Sequence, residues 1–299
     1  MEIQELIEKM RQLGPRENSE DDVRFLMNQM GKIGFIQTVL HPGHVIIRAR
    51  PNEENKVYNS RAELSYKPQR YNDTYQRASI PKQTMFYGGI VPPNSVDDIS
   101  GNARFAPAFE ASDLIRDEKD GIQTLTFSKW LVVKDIPLIT ICHYDDFIGK
   151  HAHTFNLNKA YHDSLEKMPA EMASRSLHMT TYLADEFAKK ITCTDPQECY
   201  MISAVFTELS LGQTNAGIYY PSVQTQGLGF NVAIAPETVD SSLKLIGASE
   251  CTIYKNGTCI LVDNETICYI EDDTKPFTLK PIDSRHRFGK EESMKRVGL

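Results

Sequence analysis

GIYYPSVQTQGLGFNVAIAP, residues 217–236, is the stretch that decides the fold of this chain. It predicts a β-strand over 217–220, which Pro221 ends, and a second strand over 229–235. Ser222 lies between the two strands, at the start of a polar loop that contains glycines. A serine in this position is either an ordinary turn residue or part of the mouth of a ligand site. The rest of the chain is needed to choose between these interpretations.

The residues before this stretch contain both helical and strand-like patterns. The apolar spacing predicts a helical hairpin over 1–33, and a strand-like pattern follows over 35–50. The further predicted elements are a strand over 84–91, a helix over 105–116, two neighbouring strands within 124–142, and helices over 158–167, 170–191 and 196–210.

The residues after this stretch predict an antiparallel meander over 243–271, in which Asn256-Gly257 forms a two-residue hairpin turn. Residues 276–299 predict a polar, locally basic, mobile tail. Helices and strands do not alternate regularly, which argues against a doubly wound parallel sheet. We therefore predict an α+β fold with strongly bent, mixed or antiparallel sheets and flanking helices.

The composition is that of a globular protein, with 299 residues, 40% hydrophobic residues and 24% charged residues. The net charge of −7 provides no overall electrostatic case for binding nucleic acid. No apolar run approaches the roughly 20 residues of a membrane helix, and the amphipathic start does not resemble a signal peptide. The six cysteines are scattered, so we expect free thiols in a cytoplasmic protein.

Common catalytic and metal-binding motifs fit poorly. GLGFN, residues 227–231, lacks the third glycine of a dinucleotide-binding fingerprint and no helix is predicted after it. Ser222 lacks the G-x-S-x-G context of a hydrolase nucleophile. HYDDFIGKHAH, residues 143–153, holds three histidines and two aspartates but has no metal-binding helical spacing, so we favour a solvated loop. We expect no metal and no cofactor.

Several polar residues remain at the edges of apolar segments: Arg48, Arg77, Tyr87, Glu110 and Ser222. Taken singly, each has an ordinary structural interpretation, such as a surface charge or a core tyrosine. Their order and local contexts together resemble the RES domain family, named for its Arg, Glu and Ser. The matching pieces are IIRAR (46–50), RASIPKQTMFYGG (77–89), ARFAPAFE (103–110), FSKWLVVKDIP (127–137) and GIYYPSV…GLGFNVAI (217–234).

The resemblance implies a relative of the ADP-ribosyltransferase fold that degrades NAD⁺, as the toxins of toxin–antitoxin pairs do. It implies catalytic roles for Arg77, Tyr87, Glu110 and Ser222, and substrate contacts from Arg48, Tyr220 and Asn231. The loop over 224–229 would then fold over the bound dinucleotide. Neither Arg77 nor Glu110 is predicted to be a core residue, so we expect alanine at either position to leave the fold intact. Glu110 lies 23 positions after Tyr87, and this wide spacing leaves the nearby Asp97, Asp98 and Asp113 as alternative carboxylates.

The chemistry of NAD⁺ suits these residue types independently. Nicotinamide leaves as a neutral molecule, and the ribose carbon develops oxocarbenium character that a carboxylate stabilises. Arginine binds the pyrophosphate, and tyrosines stack on the nicotinamide ring. The expected function is therefore an NAD⁺ glycohydrolase or phosphorylase with water or inorganic phosphate as acceptor. A protein ADP-ribosyltransferase and a non-catalytic nucleotide-binding module remain the alternatives.

The expected domain organisation has three parts: an N-terminal helical extension over 1–34, a RES-like catalytic domain over 35–275, and a basic tail over 276–299. A toxic NADase must be held inactive in its host. We therefore expect either that a partner, such as an inhibitory antitoxin or regulatory protein, blocks the site or that a trigger opens it. The N-terminal hairpin and the basic tail are the candidate elements for this control. Homo-oligomer formation is left open.

Overall fold

The fold is built on a ten-stranded mixed sheet, seen in a computed structural model that describes residues 2–13, 19–53, 56–90, 104–116, 119–150, 152–189, 196–212, 214–283, 285 and 287–299. The strands are β1 (Gln37–Leu40), β2 (Val45–Pro51), β3 (Phe86–Ile90), β4 (Gly121–Val132), β5 (Ile136–Thr140), β6 (Gly217–Pro221), β7 (Phe230–Ile234), β8 (Leu243–Asn256), β9 (Cys259–Tyr269) and β10 (Lys280–Pro281). Helices flank this sheet, so the predicted α+β class is confirmed.

The strand order is β1-β5-β6-β7-β3-β2-β4-β8-β9-β10. β5 and β6 are parallel, and the other pairs are antiparallel. The prediction that the two strands within 124–142 are neighbours is wrong. β4 pairs with β2 and β8, whereas β5 pairs with β1 and β6, because the chain crosses to the other half of the sheet between them.

The helices of the described residues are α1 (Ile3–Gln12), α2 (Ser19–Asn28), α3 (Arg61–Leu64), α4 (Phe105–Ala111), α5 (Asp113–Arg116), α6 (Ala152–Leu165), α7 (Ala170–Ala188), α8 (Pro196–Ser210), α9 (Pro236–Ser242) and α10 (Lys290–Val297). Short 3₁₀ helices cover Gln69–Tyr71 and Asp145–Phe147. No helix in these ranges is long and apolar enough to cross a membrane.

The N-terminal hairpin forms as its apolar spacing predicts. The buried residues of α1 and α2 (Leu6, Ile7, Met10, Val23, Leu26 and Met27) join one hydrophobic core with residues of α7 and α8. The hairpin is therefore packed into the body of the protein through apolar side chains.

Apolar cores cover both faces of the central strands. Tyr220 and Ala233 belong to the core that contains the N-terminal hairpin, whereas Tyr219 and Val232 belong to a second core. Successive side chains of a strand point to opposite faces, so β6 and β7 are buried on both sides. This explains why residues 217–220 read as a continuous apolar run.

The C-terminal part departs from its prediction in two ways. β8 and β9 form one long hairpin whose loop is Gly257-Thr258, one residue later than predicted, because Asn256 still pairs with Cys259. Residues Lys290–Val297 form α10, which the sequence did not predict. Ser293 and Val297 of α10 are buried, and the side-chain amide of Asn256 donates to the carbonyl oxygens of Val297 (3.1 Å) and Gly298 (2.8 Å).

The cysteines follow the prediction at four positions: Cys142, Cys251, Cys259 and Cys268 are free thiols. The prediction is wrong at Cys199, near the start of α8, which forms a disulfide. Cys193 lies outside the described residues.

Candidate functional site

Glu110, on the last turn of α4, meets the stretch that contains Ser222. The Ser222 hydroxyl donates to Glu110 Oε1 at 2.7 Å, and the Asn231 side-chain amide donates to the same oxygen at 2.9 Å. Both donors come from the β6–β7 unit, more than a hundred residues after Glu110. One carboxylate oxygen is thus fixed by two donors, and Oε2 is left for other partners.

Two glycines allow α4 to approach the sheet this closely. A Cβ at Gly89 of β3 would lie 2.6 Å from Pro107, and a Cβ at Gly229 would lie 2.6 Å from Ala106. Both distances are shorter than any ordinary carbon–carbon contact. Gly89 of FYGGI and Gly229 of the 222–229 loop therefore form the surface on which the Glu110 helix rests.

Ser222 is fully buried and begins a tightly bonded loop. Its N–H donates to Gly229 O at 2.8 Å, and its carbonyl accepts from the Gly227 N–H at 2.9 Å. The folding of residues 224–229 over a bound dinucleotide stays a prediction. Val223 and Thr225 are buried, and only Gln224 of the loop lines the cavity described next.

A cavity of about 470 Å³ opens on the exposed side of Glu110. This volume lies within the range of roughly 300–1,000 Å³ that is typical of ligand sites. Its lining includes Arg48, Arg50, Tyr75, Gln76, Arg77, Tyr87, Glu110, Arg116, Tyr200, Tyr220, Gln224 and Asn231. Six of the seven residues singled out from the sequence are in this set, and the seventh, Ser222, lies behind Glu110.

Arg77 lines the cavity but is mostly used to hold the protein together. Its guanidinium donates to the carbonyl oxygens of Phe187 and Lys189 at the end of α7, and to the Tyr200 hydroxyl at 3.1 Å. It also lies 4.8 Å from the centre of the Tyr200 ring. A cation at a helix C-terminus satisfies carbonyls that have no partner within the helix. Arg77 is buried and caps α7, so the prediction that it is not a core residue is wrong.

The guanidinium of Arg48 is only partly hydrogen-bonded. Its Nη1 donates to Tyr87 O at 2.7 Å, while its buried Nε has no hydrogen-bond partner. Burial, together with the like charge of Arg50, lowers the pKa of Arg48 to about 10, so the guanidinium remains charged at neutral pH. An unpartnered donor on a buried cation is costly unless an acceptor arrives.

Two tyrosines on the predicted strands shape the wall. The Tyr87 hydroxyl accepts from the Ala78 N–H at 3.1 Å and lies 2.8 Å from Ser79 Oγ. Burial raises the pKa of Tyr87 to about 12, so it stays a neutral phenol. Burial, reinforced by the charge of Glu110, raises the pKa of Tyr220 well above its usual value. Both side chains are therefore neutral phenols at neutral pH, and neither acts as a general base.

Of the three alternative carboxylates, the structure describes Asp113, which does not line the cavity. Asp113 is exposed and pairs with Arg116. Asp97 and Asp98 lie outside the described residues. Among the residues described, Glu110 is the carboxylate that lines the cavity.

The histidine-rich segment 143–153 is not simply a solvated loop. Asp145 and Asp146 are exposed, but His143 is buried, its ring 4.2 Å from that of Tyr161 and 5.4 Å from that of His162. Burial and the nearby His162 lower the pKa of His143 to about 4. The part of the chain that the structure describes contains no cluster of His, Cys, Asp or Glu able to hold a metal ion.

Sequence analysis missed several lining residues: Arg50, Tyr75, Gln76, Arg116, Tyr200 and Gln224. The sequence contains a signal for Arg50: residues two apart on a strand share a face, so Arg50 is expected on the same face as the candidate Arg48. Arg116 had none. It donates to the carbonyl oxygens of Phe109 (2.9 Å) and Glu110 (2.5 Å), contacts that depend on the turn between α4 and α5.

Comparisons of the chain with protein families, with curated proteins and with solved structures give no match.

Proposed function

We propose that this protein is an NAD⁺-degrading enzyme that cleaves the bond between nicotinamide and ribose, as a glycohydrolase or a phosphorylase. The observation that carries the proposal is the environment of Glu110. Glu110 is the carboxylate among the described residues that lines the cavity, and one of its oxygens is fixed by Ser222 and Asn231. The same cavity is lined by four arginines and four tyrosines.

Glu110 would stabilise the reacting ribose. As the neutral nicotinamide leaves, positive charge develops at the anomeric carbon, and a fixed carboxylate nearby lowers the energy of that state. Ser222 and Asn231 occupy Oε1, so Oε2 would face the ribose. In this role Ser222 is a positioning residue that acts through Glu110, since it does not line the cavity.

The arginines would hold the pyrophosphate. Arg48, Arg50, Arg77 and Arg116 line the same cavity as Glu110, on a chain whose net charge is −7. This local excess of positive charge favours an anionic ligand. Arg48 is the best candidate for direct contact, because it lines the cavity, only its Nη1 donates to Tyr87 O, and a guanidinium binds phosphate oxygens with several donors.

The tyrosines would provide the flat apolar surface for an aromatic base. Tyr75, Tyr87, Tyr200 and Tyr220 all line the cavity, and the last three stay protonated because burial raises their pKa values. Aromatic rings of this kind stack on planar heterocycles without requiring charge.

The test is nicotinamide release from NAD⁺ by the purified protein, with and without inorganic phosphate. We expect release by the wild type and loss of at least about 100-fold in Glu110→Gln, which removes the charge but retains the shape. Glu166→Gln, at an exposed carboxylate after α6, is the matched control and should keep full activity. No release under either condition would refute the proposal, and labelling of other proteins by tagged NAD⁺ would indicate a protein ADP-ribosyltransferase instead.

The role as a toxin or effector has its own test. Expression of the wild type in a bacterial host should arrest growth and lower cellular NAD⁺, whereas Glu110→Gln should do neither. Arrest by both forms would show that growth inhibition does not depend on this site.

A further inference from the structure

A hydrogen-bonded network joins the N-terminal hairpin to the cavity. The Tyr75 hydroxyl donates to Glu20 Oε2 of α2 at 2.5 Å, and the other oxygen of Glu20 pairs with Arg24. Arg24 donates to Glu208 Oε2 of α8 from Nε (2.9 Å) and Nη2 (2.8 Å). Glu208 Oε1 accepts from the Gln83 side-chain amide at 3.1 Å.

The network holds both ends of one wall of the cavity. Residues 75–83, here called the wall segment, begin at Tyr75, which is bonded to Glu20, and end at Gln83, which is bonded to Glu208. Three residues of this segment, Tyr75, Gln76 and Arg77, line the cavity. The segment has little regular structure of its own, apart from an isolated bridge between Gln76 and Ser79.

We propose that α2 contributes to ligand binding through Glu20. Glu20 is a positioning residue that fixes Tyr75 and the wall segment for binding the dinucleotide. The positioning of the wall segment by Glu20 follows from the contacts alone, whereas its effect on NAD⁺ binding rests on the proposed function.

The ion pairs that connect α2, α8 and the wall segment are partly buried, which strengthens the connection. The side chains of Glu20, Arg24 and Glu208 are 28%, 26% and 24% exposed, so water screens them less than it screens a fully exposed pair. Burial and the bond to Glu20 also raise the pKa of Tyr75, which keeps its hydroxyl a donor. A charge-assisted bond of this kind is stronger than a neutral one.

The hairpin also offers a matched control. Glu5 on α1 forms an ion pair with Lys9 at 3.0 Å, with both side chains about half exposed. It is a carboxylate on the same hairpin that has no bond to the wall segment. Glu5→Ala therefore tests whether loss of any negative charge from the hairpin affects the wall segment.

The first experiment measures amide hydrogen exchange without any ligand. In Glu20→Ala and in Tyr75→Phe we expect the amides of Gln76, Ala78 and Ser79 to exchange about tenfold faster, because a charge-assisted bond that closes the wall is lost. Glu20→Gln should change less, since its amide oxygen still accepts from Tyr75, and Glu5→Ala should not change these amides. Tyr75→Phe leaves Arg24 and Glu208 paired, so it reports on the wall even if Glu20→Ala unfolds. Unchanged exchange in Tyr75→Phe would overturn the proposal.

The second experiment measures NAD⁺ cleavage by the same variants. We expect KM to rise about tenfold in Tyr75→Phe and Glu20→Ala with kcat within about twofold, because Glu110 is untouched and the binding wall is loosened. Equal falls in kcat with unchanged KM would overturn the assignment to binding. If the wild type does not cleave NAD⁺, the proposed function fails, and the exchange experiment still decides whether Glu20 positions the wall.

Discussion

Replacing Ser222 with alanine is expected to lower kcat for NAD⁺ cleavage by about 10- to 100-fold and to leave KM within about twofold. Ser222 is fully buried and donates to Glu110 Oε1 at 2.7 Å, so the variant removes one of the two donors that fix the carboxylate. A hydrogen bond to a charged group contributes about 1.5–3 kcal/mol. Since about 1.4 kcal/mol corresponds to a factor of ten in rate, full loss in the transition state gives the stated range.

A double-mutant cycle tests whether Ser222 acts through Glu110. The assay is nicotinamide release by the wild type, Ser222→Ala, Glu110→Gln and the double variant. If Ser222 only positions the carboxylate, its replacement should cost less than about threefold in the Glu110→Gln background. An undiminished cost in that background would refute the reasoning and assign Ser222 a direct contact with substrate.

Ser176→Ala separates loss of catalysis from loss of stability. Ser176 is also fully buried, and its hydroxyl accepts from the Gly34 N–H at 2.8 Å, away from the cavity. Both serine variants should lower the free energy of unfolding by about 1–2 kcal/mol in urea titrations. Only Ser222→Ala should lower kcat, and an equal fall in both would attribute the effect to general destabilisation.

Three further changes test other features of the structure. Arg77→Ala should lower the free energy of unfolding by about 2–4 kcal/mol in urea titrations, because two carbonyls at the end of α7 and the Tyr200 hydroxyl lose their donor; a loss under 1 kcal/mol would contradict the capping role. Gly229→Ala should cost about 1–3 kcal/mol and lower kcat, because its Cβ would lie 2.6 Å from Ala106, whereas Gly212→Ala, with open space around it, should be neutral. His143 has a pKa lowered to about 4, so protonation favours the unfolded chain as pH falls from about 6.5 towards 4, and up to about 3 kcal/mol of stability is lost in that window. His143→Gln should lack this loss when the urea titrations of both proteins are compared at pH 7 and pH 4.5, and parallel pH profiles would contradict the assignment.

The sequence by itself determined most of the local structure. Apolar spacing predicted the N-terminal hairpin and the helices that became α6, α7 and α8. Pro221 and the glycines predicted the end of β6 and the loop before β7. These signals are carried by neighbouring residues, whose side-chain periodicity follows from the geometry of the helix or strand that they form. The polar residues at the segment edges were visible in the same way, although their contacts were not.

Only the tertiary structure decided how these pieces meet. Glu110 and Ser222 are 112 residues apart, and Arg77 is 110 residues from Phe187, whose carbonyl it caps. Such contacts depend on the order of the strands in the sheet. The prediction that β4 and β5 are neighbours is wrong because the residues of an apolar strand do not specify which strand it pairs with. The same limit explains why the sequence does not predict the burial of Arg77 or the link from Glu20 to Tyr75. Pairing across the sheet and capping of a helix are set by the packing of whole elements, and no short stretch of sequence contains both partners.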